Sequence, residues 1–489
     1  MMTESGSNVL NVDNINPNFL RVEYAVRGPI VERANELEKE LNEGAPKPFK
    51  SIIKCNIGDC QATGQKPVTF FREVIAAMAY PTLLQLNVNH GIPSDVQLRV
   101  KRMLESCPRG AVGSYSHSLG LWSVRQDVAK YIERRDGVAA NPNDIFLSCG
   151  ASEAVKYVLH LLSTGHPGKE RAGIMVPIPQ YPLYSATNAE YDAYQIDYYL
   201  DESKEWGMNV DELQKTLDEA KNHCIPRGLV VINPGNPTGQ VLSRSCMEDI
   251  IKFCLRNRLV LLADEVYQLN IYQPDVHPWT SFKRVLRDMG PPTSSRLELA
   301  SFMSCSKGFM GECGFRGGYC ELINFDPKVQ AQLYKVLSAR LCPPVLGQAV
   351  IGAFVNPPVK GEPSYDSFCA ERDGILNDLK IKAQLVTDSL NSMEGMSCNP
   401  VQGAMYAFPQ IHLPPKAIKA AEEAGQKPDF FYCLNLLEEK GICVVPGSGF
   451  GQKQGTYHFR TTILPSVEEM KYVMKQLKDF HTEFMAKYA

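Results

Sequence analysis

The sequence predicts an α/β protein, in which a mostly parallel sheet covered by helices on both faces is followed by a smaller α+β unit. Three observations carry this. From about residue 110, apolar runs of strand length alternate with longer stretches of helical spacing, and strands interleaved with helices imply parallel crossovers. The segment Val355-Asn356-Pro357-Pro358-Val359-Lys360-Gly361-Glu362-Pro363 interrupts that alternation and marks a boundary. The length, 489 residues, is more than one simple core accommodates.

The elements follow in chain order. Residues 1–20 are polar and Asn-rich and read as an arm or a disordered start. Helical spacing covers 30–41 and 68–79, on either side of an irregular stretch, 54–66, that contains Gly58 and Gly64. Buried strands are expected at 145–148, 174–177, 195–199, 229–232, 260–263, 297–303 and 319–323, with helices at 152–162, 245–255 and 327–337. Beyond the boundary come a long helix, 365–390, short strands at 405–409 and 442–445, a further strand at 457–463, and an amphipathic helix from Val467.

Composition narrows the function. Apolar residues make up 44% and charged residues 21%, ordinary values for a globular protein. Lys and Arg number 51 against 54 Asp and Glu, a formal charge of −3, so a polyanion such as nucleic acid or an anionic membrane is a poor partner. No apolar stretch approaches a membrane span. The first basic residue is Arg21, the start lacks the pattern of a secretory or transit signal, and the last residues, Lys487-Tyr488-Ala489, are not a peroxisomal address. The expectation is cytosolic. The 15 cysteines are scattered, with no Cys-x-x-Cys pair, and read as reduced, mostly buried thiols, neither a disulfide frame nor a zinc site. The nine histidines never fall at metal-ligand spacing; His117 and His458 read as structural. Gly447-Ser448-Gly449-Phe450-Gly451 is set aside as a dinucleotide loop, because Gln452 stands at the sixth position and no helix follows at once.

In an open α/β sheet, ligands bind at the carboxyl ends of the strands. Five expected strands end in unusual residues. Cys149-Gly150-Ala151-Ser152 opens a helix whose free N–H groups suit an anion, although by itself it reads first as an ordinary helix start. Ile178-Pro179-Gln180-Tyr181-Pro182 offers Tyr181 to a planar ring, but alone is an ordinary surface loop. Asn233-Pro234-Gly235-Asn236-Pro237-Thr238-Gly239 is more rigid than a plain turn requires and holds the Asn236 amide at a strand end. Ala263-Asp264-Glu265-Val266-Tyr267 puts an acid at the tip of an apolar strand, costly unless it meets a cation, with a helix cap as the other reading. Ser304-Cys305-Ser306-Lys307, followed by a glycine-rich stretch to Arg316, suits a nucleophilic amine beside an anion site; burial makes a lysine lose its proton more readily, and an ordinary surface lysine is the alternative.

Taken in order, Asn-Pro-x-Asn-Pro-Thr-Gly, Asp-Glu-Val-Tyr and Ser-x-Ser-Lys-Gly with a downstream Arg resemble the fold-type-I pyridoxal-phosphate aminotransferases. More narrowly, the run from Ser306 to Tyr319, Tyr24-Ala25-Val26-Arg27-Gly28-Pro29-Ile30 and Asn56-Ile57-Gly58-Asp59 are similar to the alanine aminotransferase family. Arg316 follows Lys307 by nine residues, one more than in the aspartate and tyrosine aminotransferases and as in the alanine group.

The resemblance implies pyridoxal 5′-phosphate held as a Schiff base on Lys307, which then moves the α-proton. It implies Asp264 against the ring nitrogen, Asn236 and Tyr267 at the ring hydroxyl, and Tyr181 stacked on the ring. The phosphate would rest on Ala151 and Ser152, with Ser304 and Arg316 as donors and Tyr115 reaching in from a neighbouring subunit, so a homodimer is expected. Arg460 would clamp the substrate α-carboxylate and the Gly58 loop would close over it; no metal is implied. The implied domains are an arm, 1–20, a large cofactor-binding domain, 91–360, and a smaller α+β domain drawn from both chain ends, 21–90 and 361–489. The implied reaction exchanges L-alanine and 2-oxoglutarate for pyruvate and L-glutamate. A glutamate:glyoxylate aminotransferase and, further off, a lyase such as an aminocyclopropane-carboxylate synthase share the cofactor residues. A transcription regulator would need an added basic DNA-binding module, which the first 20 residues do not supply.

Overall fold

A computed structural model of the chain describes residues 9–24, 28–85 and 91–489. The first eight residues of the expected arm, the limit drawn at residue 90, and Ala25, Val26 and Arg27 of the N-terminal motif lie outside those.

The seven expected strands all form, and all belong to one sheet: β1 (Ile145–Cys149), β2 (Ala172–Ile178), β3 (Tyr194–Tyr199), β4 (Ile225–Ile232), β5 (Val260–Asp264), β6 (Leu299–Ser304) and β7 (Gly317–Ile323). Their order is β1-β7-β6-β5-β4-β2-β3. Neighbours run parallel except β7, which is antiparallel to both β1 and β6. Alternate side chains enter different layers. Met175, Leu229, Val231, Leu261, Ala263 and Leu299 pack under the helices Val210–Ala220, Arg244–Asn257 and Phe282–Asp288. Ile174, Val176, Val230, Ile232, Leu262, Ala300 and Phe302 pack under Ala151–Leu162 and Pro327–Ala339. Both faces are therefore apolar, which is why these strands read as continuous hydrophobic runs.

A third cluster joins Ile145, Leu147, Met303 and Tyr319 to the helices Thr69–Ala79, Ser94–Glu105, Trp122–Asp136 and Val345–Val355. A fourth lies away from the sheet. There Ile30, Ala34 and Leu37 of the helix Pro29–Asn42 meet Leu379 to Leu390, Tyr432 to Leu437 and Met470 to Phe484. This cluster carries a parallel pair, Ile53–Lys54 with Ile442–Cys443, and an antiparallel trio in which Phe459–Thr462 lies between Tyr406–Ala407 and Val445–Pro446. The helix Tyr365–Asn391 spans both regions, since Phe368 belongs to the third cluster and Leu379 to the fourth. The stretch after residue 53 is irregular as expected. Within the arm, the helix Pro17–Arg21 buries no residue and is tied to the large region by Asn18 donating to the Glu190 carbonyl (3.1 Å) and by Arg21 to Asp192 (2.7 Å).

Candidate functional site

The carboxyl ends of β1, β2, β4, β5 and β6 open on one edge of the sheet, and the antiparallel β7 begins there. Lys307 leaves the end of β6 and Arg316 enters β7, whose Gly318 pairs with Ser304. The reversal between β6 and β7 thus returns Arg316 to the edge that Lys307 occupies.

Arg316 lies over the start of the helix Ala151–Leu162. Its guanidinium donates to Ser152 Oγ (3.3 Å), Ser306 Oγ (3.3 Å) and the carbonyls of Cys313 (2.9 Å) and Cys149 (3.4 Å). The start of β7 packs so closely on that helix that a Cβ at Gly318 would fall 2.6 Å from the Gly150 carbonyl carbon. Ser304 is turned towards backbone, accepting from Ser306 N (3.1 Å) and donating to Gly317 O (3.4 Å). Beside Ser152, the hydroxyl that Arg316 meets is that of Ser306, which sequence reasoning did not single out.

Asp264 ends β5 and is 5% exposed. Tyr184 donates to its Oδ2 at 2.8 Å and Val266 N to its Oδ1 at 3.4 Å. Burial pushes its carboxyl up, while the Tyr184 and Val266 hydrogen bonds and the Lys307 charge pull the other way. A buried acid so placed calls for a cation. Asn236 donates to the Tyr267 hydroxyl at 3.5 Å and accepts from Arg460 Nη1 at 3.1 Å. Tyr181 lies edge-on to Tyr24, with hydroxyls 2.8 Å apart.

Arg460, in Phe459–Thr462, is 1% exposed. Its Nη2 donates to the Asn56 carbonyl (2.5 Å), and its Cζ lies 4.2 Å from the Tyr406 ring centroid and 4.7 Å from that of Phe450. Arg460 Nε and Asn56 Oδ1 are buried without partners among the described residues. The loop Gly447–Gly449 is a short turn that delivers Phe450 to this sandwich. Lys307 Nζ donates to the Gly58 carbonyl at 2.9 Å and sits 5.9 Å from the Tyr267 ring centroid. Gly58 has no room for a side chain: a Cβ there would run into Tyr406 Oη and come within 3.1 Å of Lys307 Nζ.

Burial acts on the Lys307 amine in the expected direction, but other groups act against it. Desolvation pulls its proton affinity down, but the Tyr406 oxygen and the Cys313 and Cys60 thiols outweigh it, and the amine is raised above its ordinary value even against Arg460. Ala151, Ser152, Asn236, Asp264, Tyr267, Ser304, Lys307, Arg316, Arg460 and Gly58 thus gather at one edge, whereas Tyr115 is 71% exposed. Tyr184 and Tyr406 were missed, because a tyrosine in a helix or a short apolar strand reads as core. His458 is structural, bonded to Gln452 (3.0 Å) and Glu202 (3.0 Å). Among the described residues no group of His, Cys, Asp and Glu is arranged for a metal ion, and no helix is long and apolar enough to cross a membrane.

An amine at a strand end, a buried acid at the next tip and an arginine over a helix start thus lie at one edge of the sheet. Residues 84–477 match the aminotransferase class I and II family, and the chain belongs to it. It is 56% identical over its whole length to alanine aminotransferase 2 of Xenopus laevis, covering 90% of that protein, and 54% identical over 98% of its length to alanine aminotransferase 1 of Homo sapiens, covering 96% of it. A probable mitochondrial alanine aminotransferase of Dictyostelium discoideum is 50% identical over 98% of the chain and 90% of its own length. Among solved structures, the alanine aminotransferase of Pyrococcus furiosus superposes with a TM-score of 0.75 at 24% identity, over 96% of this chain and all of that one, which extends the shared fold.

Proposed function

We propose that the chain is an alanine aminotransferase that uses pyridoxal 5′-phosphate on Lys307 to exchange L-alanine and 2-oxoglutarate for pyruvate and L-glutamate. The observation that carries this reading is the buried Arg460 beside Lys307, in a chain more than half identical along its length to relatives of that name. Those relatives favour it over a glutamate:glyoxylate aminotransferase and over a lyase.

The residues present fit the cofactor. The start of the helix Ala151–Leu162, with Ala151 and Ser152 amides, Ser304, Ser306 and Arg316, suits a phosphate. Among the described residues Asp264 has no cation in contact, and a protonated pyridine nitrogen would supply one. Tyr181 offers a ring to stack on, and Asn236 with Tyr267 a donor pair for a ring hydroxyl. Bound there, pyridoxal phosphate supplies an electron sink for the carbon that gives up its proton.

The chain supplies the rest. Arg460 Nε and Asn56 Oδ1, buried and unpartnered among the described residues, support an α-carboxylate being gripped at the guanidinium fork. That grip fixes the direction of the Cα–H bond. Lys307 takes the proton and returns it, to the opposite end of the same system in the first half-reaction and to Cα in the second. The Gly58 backbone, against Lys307 and Tyr406, closes the site where a side chain would block it. The exposed Tyr115 supports a homodimer in which it reaches the phosphate of the neighbouring site. Fifteen free thiols, ten of them buried, support a reducing compartment, and the cytosol is proposed. The proposed domains are those read from the sequence, with one amendment: the helix Thr69–Ala79 packs with the large unit, which moves it out of the 21–90 segment of the smaller one.

Steady-state kinetics test the substrate reading. L-alanine with 2-oxoglutarate should give the highest kcat/KM, with aspartate and tyrosine much poorer because an added charge or ring must be desolvated. If aspartate or tyrosine outruns alanine, or glyoxylate clearly outruns pyruvate as acceptor from glutamate, the alanine assignment is wrong.

A further inference from the structure

Tyr406 meets three parts of the site at once. Its short strand pairs antiparallel with Phe459–Thr462, in register Tyr406 with Thr462 and Ala407 with Thr461, which brings its ring beside Arg460. The side chain is 2% exposed. The ring lies on the Arg460 guanidinium, 4.2 Å from centroid to Cζ. The hydroxyl accepts a hydrogen bond from Tyr267 at 3.3 Å. It also shares with Lys307 Nζ the space over Gly58, where one methyl group would meet both. The ring alone would serve to pack Arg460, as Phe450 does on the guanidinium without a hydroxyl. A buried hydroxyl costs free energy unless it is used.

We propose that Tyr406 is a positioning residue that couples the carboxylate grip to the proton-carrying lysine: its ring fixes Arg460, and its oxygen faces the Lys307 amine over Gly58. This rests on the reading of Lys307 given above. Tyr267, Arg460 and Cys60 act on the phenol, and Cys313, Cys60, Arg460 and Asp264 face the amine; of all these, Tyr406 is the strongest group raising Lys307. Reciprocally, although burial pushes the Tyr406 phenol up, Lys307 and Arg460 bring it below its ordinary value.

Two variants separate the ring from the oxygen. Tyr406→Phe keeps the ring; its KM for alanine and for 2-oxoglutarate should stay within about twofold of the parent, while kcat falls roughly tenfold, a tenth or less of a full acid–base contribution. Tyr406→Leu removes both and should also raise both KM values. A second readout is independent of turnover. In the full chain freed of cofactor, acetylation of Lys307 by acetic anhydride is followed against pH by mass spectrometry. Its onset should move to lower pH in Tyr406→Phe, because a neighbour that keeps the amine protonated is gone. An unchanged onset in Tyr406→Phe, or a KM rise equal to that of Tyr406→Leu, overturns the proposal. Borohydride reduction of the parent holoenzyme distinguishes the two failures: a label on another lysine sinks the reading of Lys307, whereas a label on Lys307 with an unchanged acetylation profile sinks only the role of Tyr406.

Discussion

Replacing Arg460 with lysine keeps the charge and removes the fork. In the native site the guanidinium donates to Asn236 Oδ1 at 3.1 Å and to the Asn56 carbonyl at 2.5 Å, while Tyr406 and Phe450 cover it at 4.2 and 4.7 Å. An ammonium has no plane to sandwich and cannot match the paired geometry of a carboxylate. On the substrate side, one of two charge-assisted hydrogen bonds is lost, roughly 1.5–3 kcal/mol. That is about ten- to 150-fold in kcat/KM. Loss of the stacked planes lowers the stability of the protein by a further increment of about 0.5–2 kcal/mol, to be read separately as a drop in Tm. The loss of kcat/KM must be equal, within error, for L-alanine and for 2-oxoglutarate, because both present the same carboxylate to the same fork. A coupled assay for pyruvate and one for glutamate, each at varied donor and acceptor, measure the two KM values. A loss confined to one substrate would show that Arg460 reads a side chain, and a loss under about threefold for both would show that the grip lies elsewhere.

Lys307→Ala should abolish nearly all turnover, and borohydride reduction of the parent followed by mass spectrometry should put the pyridoxyl mass on Lys307; that mass on any other lysine refutes the assignment. Asp264→Asn still accepts from Tyr184 but loses the buried charge, so proton abstraction should slow by the equivalent of about 3–5 kcal/mol, the cost of breaking a buried pair, and near-parental turnover would mean that another group pairs with the ring. Glu265 is 0% exposed, accepts from Ser301 (2.6 Å) and Phe282 N (2.8 Å), and burial pushes its carboxyl from 4.5 to about 7. A folded value raised this way gives stability that is full below pH 4.5 and is lost as pH rises through about 7. The Tm of Glu265→Gln relative to the parent should therefore improve between pH 5 and pH 8, and a difference that does not change with pH would mean that Glu265 has the same charge at both.

The sheet was legible because both its faces are buried. Continuous apolar runs such as 229–232 and 260–263 have no amphipathic reading, and each became a strand within a few residues of its expected limits. The helix Val345–Val355 was not legible for a related reason. Nine of its eleven residues are buried, so no polar face marks a helical period. The short strands of the smaller unit, two residues each in Tyr406–Ala407 and Val445–Pro446, were placed only as broader stretches, since their pairing with Phe459–Thr462 is set by tertiary contacts and not by alternation.

The same physics decides which site residues a sequence discloses. Asp264 and Lys307 stand out because a charge at the end of an apolar strand has no local reason to exist. Tyr184 and Tyr406 do not, since a phenol among apolar neighbours is ordinary core until its hydroxyl is seen to reach Asp264 or Tyr267. Arg316 lies between these cases. Its basic character is visible, but its place depends on β7 running against β6, which no local pattern reveals. Once Ser304 is paired with Gly318, the loop between Lys307 and Arg316 has only to close a reversal whose two ends are already fixed. Gly308 and Gly311, at φ +72° and +60°, take up that reversal. With nine residues from Lys307 to Arg316, the guanidinium reaches Ser152 and the start of the helix that follows β1.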